Sequence, residues 1–371
     1  MKRLFFVLVS LSLIFTAYSK GNTANTPNFA YTIESYGKDP GATPEEVEQR
    51  LQDLNASVEM RYNKEVQKYI DMYMKTGRKQ LTSLLILSSY YLPIFEDALR
   101  EAGLPEELKY IPVIESGLNA KATSKHGAGG LWQFMPIAAR GYDLKITSAI
   151  DERRDPYLSS DRACKMFKDL YDKFGDWSLA IAAYNCGPGT VLKALKRAGG
   201  DRSQHTFWTI SSYLPAETRK YVPLFIAMNY VMNYYQEHDI PEVPIVDPFT
   251  TGTVLITKKT TLRQVAKNAD VTVEELRILN PQYRTDVIPG TEGRPCNLIL
   301  PSHKIAEYKE KSQPQKPNEM EYAEELDNTP LKQPAMEASA SPGNSQETAS
   351  NDRPRKKRRF SSSISSDTNS H

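Results

Sequence analysis

Glu115-Ser116-Gly117-Leu118-Asn119, then Ala122-Thr123-Ser124, then Gly127-Ala128-Gly129-Gly130-Leu131-Trp132-Gln133-Phe134-Met135-Pro136, sets one carboxylate at the end of an apolar helical pattern with a glycine-rich turn behind it. The pattern opens at Pro105-Glu106-Glu107 and carries Leu108, Ile111 and Ile114; Gly117 and Asn119 break it. A carboxyl so placed, beside aromatic and amide side chains, suits the wall of a saccharide cleft. To donate a proton at neutral pH, Glu115 must titrate well above the ordinary value of about 4.3, which an apolar surround achieves by penalising the charged form.

Helical signal extends in both directions from this stretch. Thr43-Pro44-Glu45-Glu46 reads as a capping box with Pro at the first helical position. Val47, Leu51, Leu54 and Val58 follow at three- and four-residue steps, and a second run ends at Gly103 after Leu99 and Ala102. From Pro156 to Phe174, Ala163, Met166, Phe167, Leu170, Tyr171 and Phe174 form one stripe that Gly175 stops. Further helices are expected at 177–185, 189–198 and 215–236. We divide this part into an N-terminal helical extension (43–94) and a helical domain holding the candidate site (95–238).

Pro241, Pro244 and Pro248 mark a stiff linker (239–251). The β-branched run Thr253–Thr257, two short helical patterns (261–269 and 273–279) and the apolar run Asn297–Leu300 then predict a strand-helix-helix-strand module over 252–302. Residues 303–371 form a polar tail. From 311 onward, Ser, Pro, Asn, Gln and Glu dominate, so the tail cannot bury enough surface to offset ordering and is expected to be disordered.

The N-terminus has its own pattern. Met1-Lys2-Arg3, an apolar run from Leu4 to Phe15 and Ala17-Tyr18-Ser19 read as a signal peptide (1–19), too short for the roughly 20 residues of a membrane span. A flexible lead-in follows at 20–42. No Cys lies near the cleavage point, so export to the periplasm or envelope without lipid anchoring is expected.

Among 371 residues, 47 Lys and Arg stand against 45 Asp and Glu, and Lys2 and Arg3 account for the excess, which disfavours nucleic acid as a partner. Arg353-Pro354-Arg355-Lys356-Lys357-Arg358-Arg359 suits either plain solvation or weak association with an anionic envelope polymer. Cys164, Cys186 and Cys296 lack metal-ligand spacing, so neither metal nor cofactor is implied. A Cys164–Cys186 bridge and buried free thiols both stay open.

Two more segments complete the constellation: Ala183-Tyr184-Asn185-Cys186-Gly187-Pro188-Gly189 at a helix end, and Glu217-Thr218-Arg219-Lys220-Tyr221-Val222-Pro223 on a later helix. Singly, each has an ordinary structural reading. Jointly, and in this order, ESGLNAKATS, GAGGLWQFMP, AYNCGPGTV and ETRKYVPLFIA resemble the soluble-lytic-transglycosylase-like family over roughly residues 95–235. With Trp132 and Asp151-Glu152-Arg153-Arg154-Asp155-Pro156, the resemblance is to the branch of membrane-bound lytic murein transglycosylase D. Thr261–Ala266 and Val271–Pro281 resemble a LysM domain, although its usual Tyr-x-Val-x-x-Gly-Asp-Thr entry is Val254-Leu255-Ile256-Thr257-Lys258-Lys259-Thr260-Thr261 here.

The resemblance implies a mainly α protein: a lysozyme-like catalytic domain, a βααβ LysM-like module and a disordered tail. It implies a monomeric enzyme acting on peptidoglycan glycan strands, with Glu115 as the sole catalytic acid and base. By matching position, Ser124, Gln133 and Asn185 would support or bind sugar. Trp132 and Phe134 would line the cleft, and Tyr184 and Tyr221 would orient Glu115. Asp151, Asp155 and Glu217 take structural roles, Ser116 a helix cap, and His126 an exposed loop position. The alternatives are a lysozyme-type muramidase that uses water, and a catalytically inert wall-binding protein.

Overall fold

A computed structural model describes residues 39–242 and 250–312, and the larger part of it is helical. The signal peptide, most of the lead-in, the centre of the linker, and the tail beyond residue 312 with its basic run lie outside these residues.

The chain enters through α1 (Pro44–Asp53), whose start is the expected capping box: Thr43 Oγ1 accepts from Glu46 N, and Thr43 N donates to the Glu46 carboxylate at 2.7 Å. Next come α2 (Lys64–Asp71), a π-helical turn over 72–76, and α3 (Arg78–Ala102), which ends at Gly103 in the left-handed conformation that glycine adopts without strain.

The expected helix from Pro105 to Glu115 is divided. A 3₁₀ turn over Glu106–Tyr110 precedes α4 (Ile111–Ser116). Pro112 is the reason: it has no N–H to continue the upstream ladder, while it fits the first turn of a new helix.

The helical domain continues through α5 (Pro136–Gly141), absent from the sequence reading, then α6 (Pro156–Phe174), α7 (Trp177–Cys186), α8 (Pro188–Ala198), the short α9 (Phe207–Ile210) and α10 (Ala216–Tyr234). From Tyr221 to Met232 every residue of α10 is buried, so this helix is the axis of the domain rather than an amphipathic surface element. It packs on α2, α4 and α7, and α6 bridges α3 and α7.

In the C-terminal module, β1 (Thr251–Ile256) pairs antiparallel with β4 (Cys296–Pro301), with Thr251 opposite Pro301 and Ile256 opposite Cys296. Between them lie β2 (Thr260–Thr261), α11 (Leu262–Ala269), α12 (Val273–Leu279) and β3 (Val287–Ile288), β2 and β3 forming a second small pair. The module does not end at 302. Residues 305–311 form α13 (Ile305–Lys311), which packs on α11 and buries Tyr308. Tyr308 and Ile305, packed on the module's core, therefore secure a helix that overall polarity hides.

The module is continuous with the helical domain. Leu279 and Ile299 join the main core, and Ile150 joins the module's core. Among the described residues no helix is long and apolar enough to cross a membrane.

Candidate active site

Glu115 occupies the last turn of α4. Gly117 (φ 59°) and Leu118 (φ 59°) turn the chain left-handed immediately after it, which ends the helix and releases the side chain at its terminus. The buried axis α10 brings Tyr221 opposite, and its hydroxyl donates to Glu115 Oε1 at 2.5 Å. Burial drives the Glu115 pKa up from 4.5 to about 7, and the Tyr221 hydrogen bond opposes that rise.

Three other carboxyls are raised as well, Glu152 to about 7, Asp155 to about 6, and Asp176, each mainly by burial. Their surroundings separate them from Glu115. Asp155 is enclosed, capping α6 through Tyr157 N and Leu158 N and accepting from Asn297 Nδ2. Glu152 is enclosed and accepts from Lys145 N at 2.7 Å. Glu115 and Asp176 are partly exposed, but Asp176 is committed to capping α7, accepting from Leu179 N at 2.6 Å.

The glycine-rich segment folds back on itself. Ser124 N donates to Ala128 O, Gly129 N to Phe134 O, and Gly130 N to Ala122 O. Ser124 Oγ accepts from Ala128 N at 3.0 Å and His126 N at 3.3 Å, so its hydroxyl shapes this loop. His126 is exposed on the turn. Gln133 sits at φ 49° and is buried; its Nε2 donates to Gly130 O at 2.7 Å, while Oε1 has no partner. A buried, unpartnered amide oxygen on a strained residue is an acceptor in need of a donor.

Trp132 and Phe134 do not form cleft wall. Trp132 is 0% exposed, meets Phe95 and Phe167 edge-on, and donates from Nε1 to Ser160 Oγ at 2.9 Å. Phe134 is 2% exposed and tilted against Tyr142. Both side chains point behind the loop, where the helical core can enclose their apolar area.

Tyr184 on α7 stacks on Phe167 and donates to the Trp132 carbonyl at 2.6 Å. Burial raises its phenol well above 10, and the Glu115 charge nearby adds to that, so it stays neutral beside the acid. Asn185 Oδ1 accepts from Thr218 Oγ1 at 2.8 Å; the sequence reading passed over Thr218, which lies one turn before Tyr221. Ser116 Oγ donates to Pro112 O at 2.9 Å, a back-bond within α4 instead of a cap.

Glu217 is exposed, and Asp151 is fully enclosed by arginines. All three cysteines are buried free thiols, and burial pushes Cys164 to about 12 and Cys186 to about 11. The Cys164–Cys186 bridge is not formed.

Residues 93–207 match the transglycosylase SLT domain family, and residues 250–316 match the LysM-like domain family of lytic transglycosylase MltD. The chain is 29% identical over 245 residues to membrane-bound lytic murein transglycosylase D of Escherichia coli K12, and equally to that of E. coli O6:H1. Each alignment covers 66% of this chain and 52% of the relative, so the chain spans about half the length of the curated relatives it matches. Among solved structures, the 70 kDa soluble lytic transglycosylase Slt70 of E. coli is similar at 25% identity and a TM-score of 0.33, covering 42% of this chain and 26% of that one. The chain therefore carries an SLT domain followed by an MltD-type LysM-like domain. Tyr221 lies beyond the matched SLT segment, on α10.

Proposed function

We propose that this protein is a peptidoglycan lytic transglycosylase that cleaves the β-1,4 bond between N-acetylmuramic acid and N-acetylglucosamine with Glu115 as its single acid and base. The observation that carries the reading is a reachable carboxyl with a pKa of about 7, bonded to Tyr221. At neutral pH such a group is divided between acid and conjugate base, and one residue can serve both half-reactions.

In the first, the Glu115 proton passes to the bridging oxygen as the muramyl C1–O bond breaks. The substrate's own acetamido group stabilises the cation, so the second carboxyl of an ordinary glycosidase is not required. In the second, the Glu115 carboxylate takes the proton of the muramyl C6 hydroxyl as its oxygen bonds to C1. A 1,6-anhydro end forms and no water is consumed. Burial raises the Glu115 pKa and the Tyr221 hydrogen bond lowers it.

Gln133 Oε1 would accept from a sugar amide or hydroxyl, and Asn185 would contact the glycan beside Thr218. Ser124 contributes by shaping the loop, and Tyr184 by holding the Trp132 carbonyl. Trp132 and Phe134 support this wall from behind. The LysM-like module would hold the enzyme on glycan strands, and the setting would be the cell envelope.

Mass spectrometry of soluble products from purified sacculi tests the reaction, with wild type beside Glu115→Gln. Anhydro ends, one water lighter than reducing ends, are expected from the wild type alone. Reducing ends would make the protein a muramidase. Release of nothing, with sacculi still bound, would make it a wall-binding protein.

A further inference from the structure

Arg284 lies between α12 and β3 in the C-terminal module, and backbone pairing carries it to the helical domain. Asp151 N donates to Gln282 O at 2.8 Å, and Arg284 N donates to Ala149 O at 2.9 Å. Beside this pairing, Arg284 Nη2 donates to Asp151 Oδ2 at 3.0 Å.

Asp151 is 0% exposed and serves as a hub. It also accepts from Arg153 Nε at 2.8 Å and Nη2 at 2.9 Å, and Arg154 Nε stands 3.6 Å away. Those two guanidiniums grip the glycine-rich loop at separate points. Arg153 Nη1 donates to Phe134 O at 3.0 Å and to Gly127 O, and Arg154 Nη2 donates to Thr123 Oγ1 at 3.0 Å. The fit is close. A Cβ on Gly129 would lie 2.8 Å from Arg153 Cζ, and one on Gly130 would lie 1.7 Å from Arg153 O. These glycines exist to admit Arg153. The loop they belong to carries Gln133 Oε1 and the Trp132 carbonyl that receives Tyr184.

We propose that Arg284 is a positioning residue for the reaction: through the Arg284–Asp151–Arg153 chain, the C-terminal module sets the conformation of the glycine-rich loop, whose Trp132 carbonyl accepts from Tyr184. The inference rests on the function proposed above. A module that only tethers the enzyme raises the local concentration of glycan and leaves turnover of a captured substrate unchanged. A module that braces the loop changes turnover itself. Without Arg284, Asp151 has Arg153 and Arg154 as its remaining partners, and the balance that orients Arg153 against Gly127 and Phe134 shifts.

The test compares full-length wild type, Arg284→Met and Arg284→Lys on a soluble tetrasaccharide of alternating N-acetylglucosamine and N-acetylmuramic acid, with sacculus pelleting measured separately. For Arg284→Met, kcat falls roughly 10-fold or more while KM stays within about twofold, the scale expected when a positioned group is misplaced by a fraction of an ångström. Arg284→Lys retains part of the rate, added guanidinium ion restores part of it to Arg284→Met, and pelleting matches wild type. An unchanged kcat, or a loss confined to KM and pelleting, overturns the inference. If Arg284→Met melts below the assay temperature, Arg284→Lys alone carries the kcat comparison. A wild type that leaves the tetrasaccharide uncleaved and indistinguishable from Glu115→Gln removes the reaction itself, a different failure.

Discussion

The burial that makes Glu115 an acid also destabilises the folded protein, and replacing the residue by Gln should reveal by how much. A carboxyl that titrates near 4.5 when unfolded and at about 7 when folded binds its proton more tightly in the native state. Below the unfolded value both states are protonated and no penalty exists. As pH rises the unfolded chain ionises first, and stability falls until the native carboxyl has ionised too. The full penalty, reached near pH 8, is roughly 3 kcal/mol by linkage. Glu115→Gln keeps an amide oxygen for the Tyr221 hydroxyl and cannot ionise. The variant should therefore match wild type in thermal stability near pH 4 and exceed it at pH 8, by roughly 5 °C for a protein of this size. Paired melts from pH 4 to 8.5, followed by near-ultraviolet circular dichroism, measure the difference directly. A constant offset between the two curves would refute the reasoning, because it would mean that the site does not oppose ionisation. The same substitution should abolish product release, so that activity and stability move in opposite directions at one residue.

Tyr221→Phe removes the hydrogen bond that holds the Glu115 pKa down, so the alkaline limb of kcat/KM should move to higher pH while the maximum drops about tenfold. An unmoved limb would count against their contact. Trp132→Ala should destabilise the fold by about 3–5 kcal/mol, as expected for a core aromatic, with Trp132→Phe much milder and its KM for glycan near wild type, measured by urea titration and steady-state kinetics. A KM rise without loss of stability would return Trp132 to the cleft wall. Gly130→Ala should yield little folded protein, since the added methyl overlaps Arg153 O and φ is 81°, whereas Gly141→Ala, with open space around the Cβ, should express as wild type.

Helix positions were legible because their signals are local. The capping box at Thr43, the stripe of α6 and its stop at Gly175 each depend on residues within a few positions of one another, and each is found where periodicity places it. The break before α4 was missed although Pro112 announces it. α13 was missed because Tyr308 and Ile305, packed on the module's core, outweigh the polar residues around them.

The sequence by itself grouped Glu115, Tyr221 and the glycine-rich turn through the order of motifs that resemble one family, and the structure brings the Tyr221 hydroxyl onto Glu115. Only the tertiary structure decided which way the aromatic residues of the turn face. Trp132 turns inward because Phe95, Phe167 and Ser160, from two distant helices, complete an apolar box with one hydroxyl at the indole nitrogen. It also decided what Gly129 and Gly130 make room for, since Arg153 reaches them only after Asp151 has gathered arginines from two domains. Burial is a property of what surrounds a side chain, and for Glu115 that surround, assembled from helices more than a hundred residues apart along the chain, is what turns a common carboxylate into an acid at neutral pH.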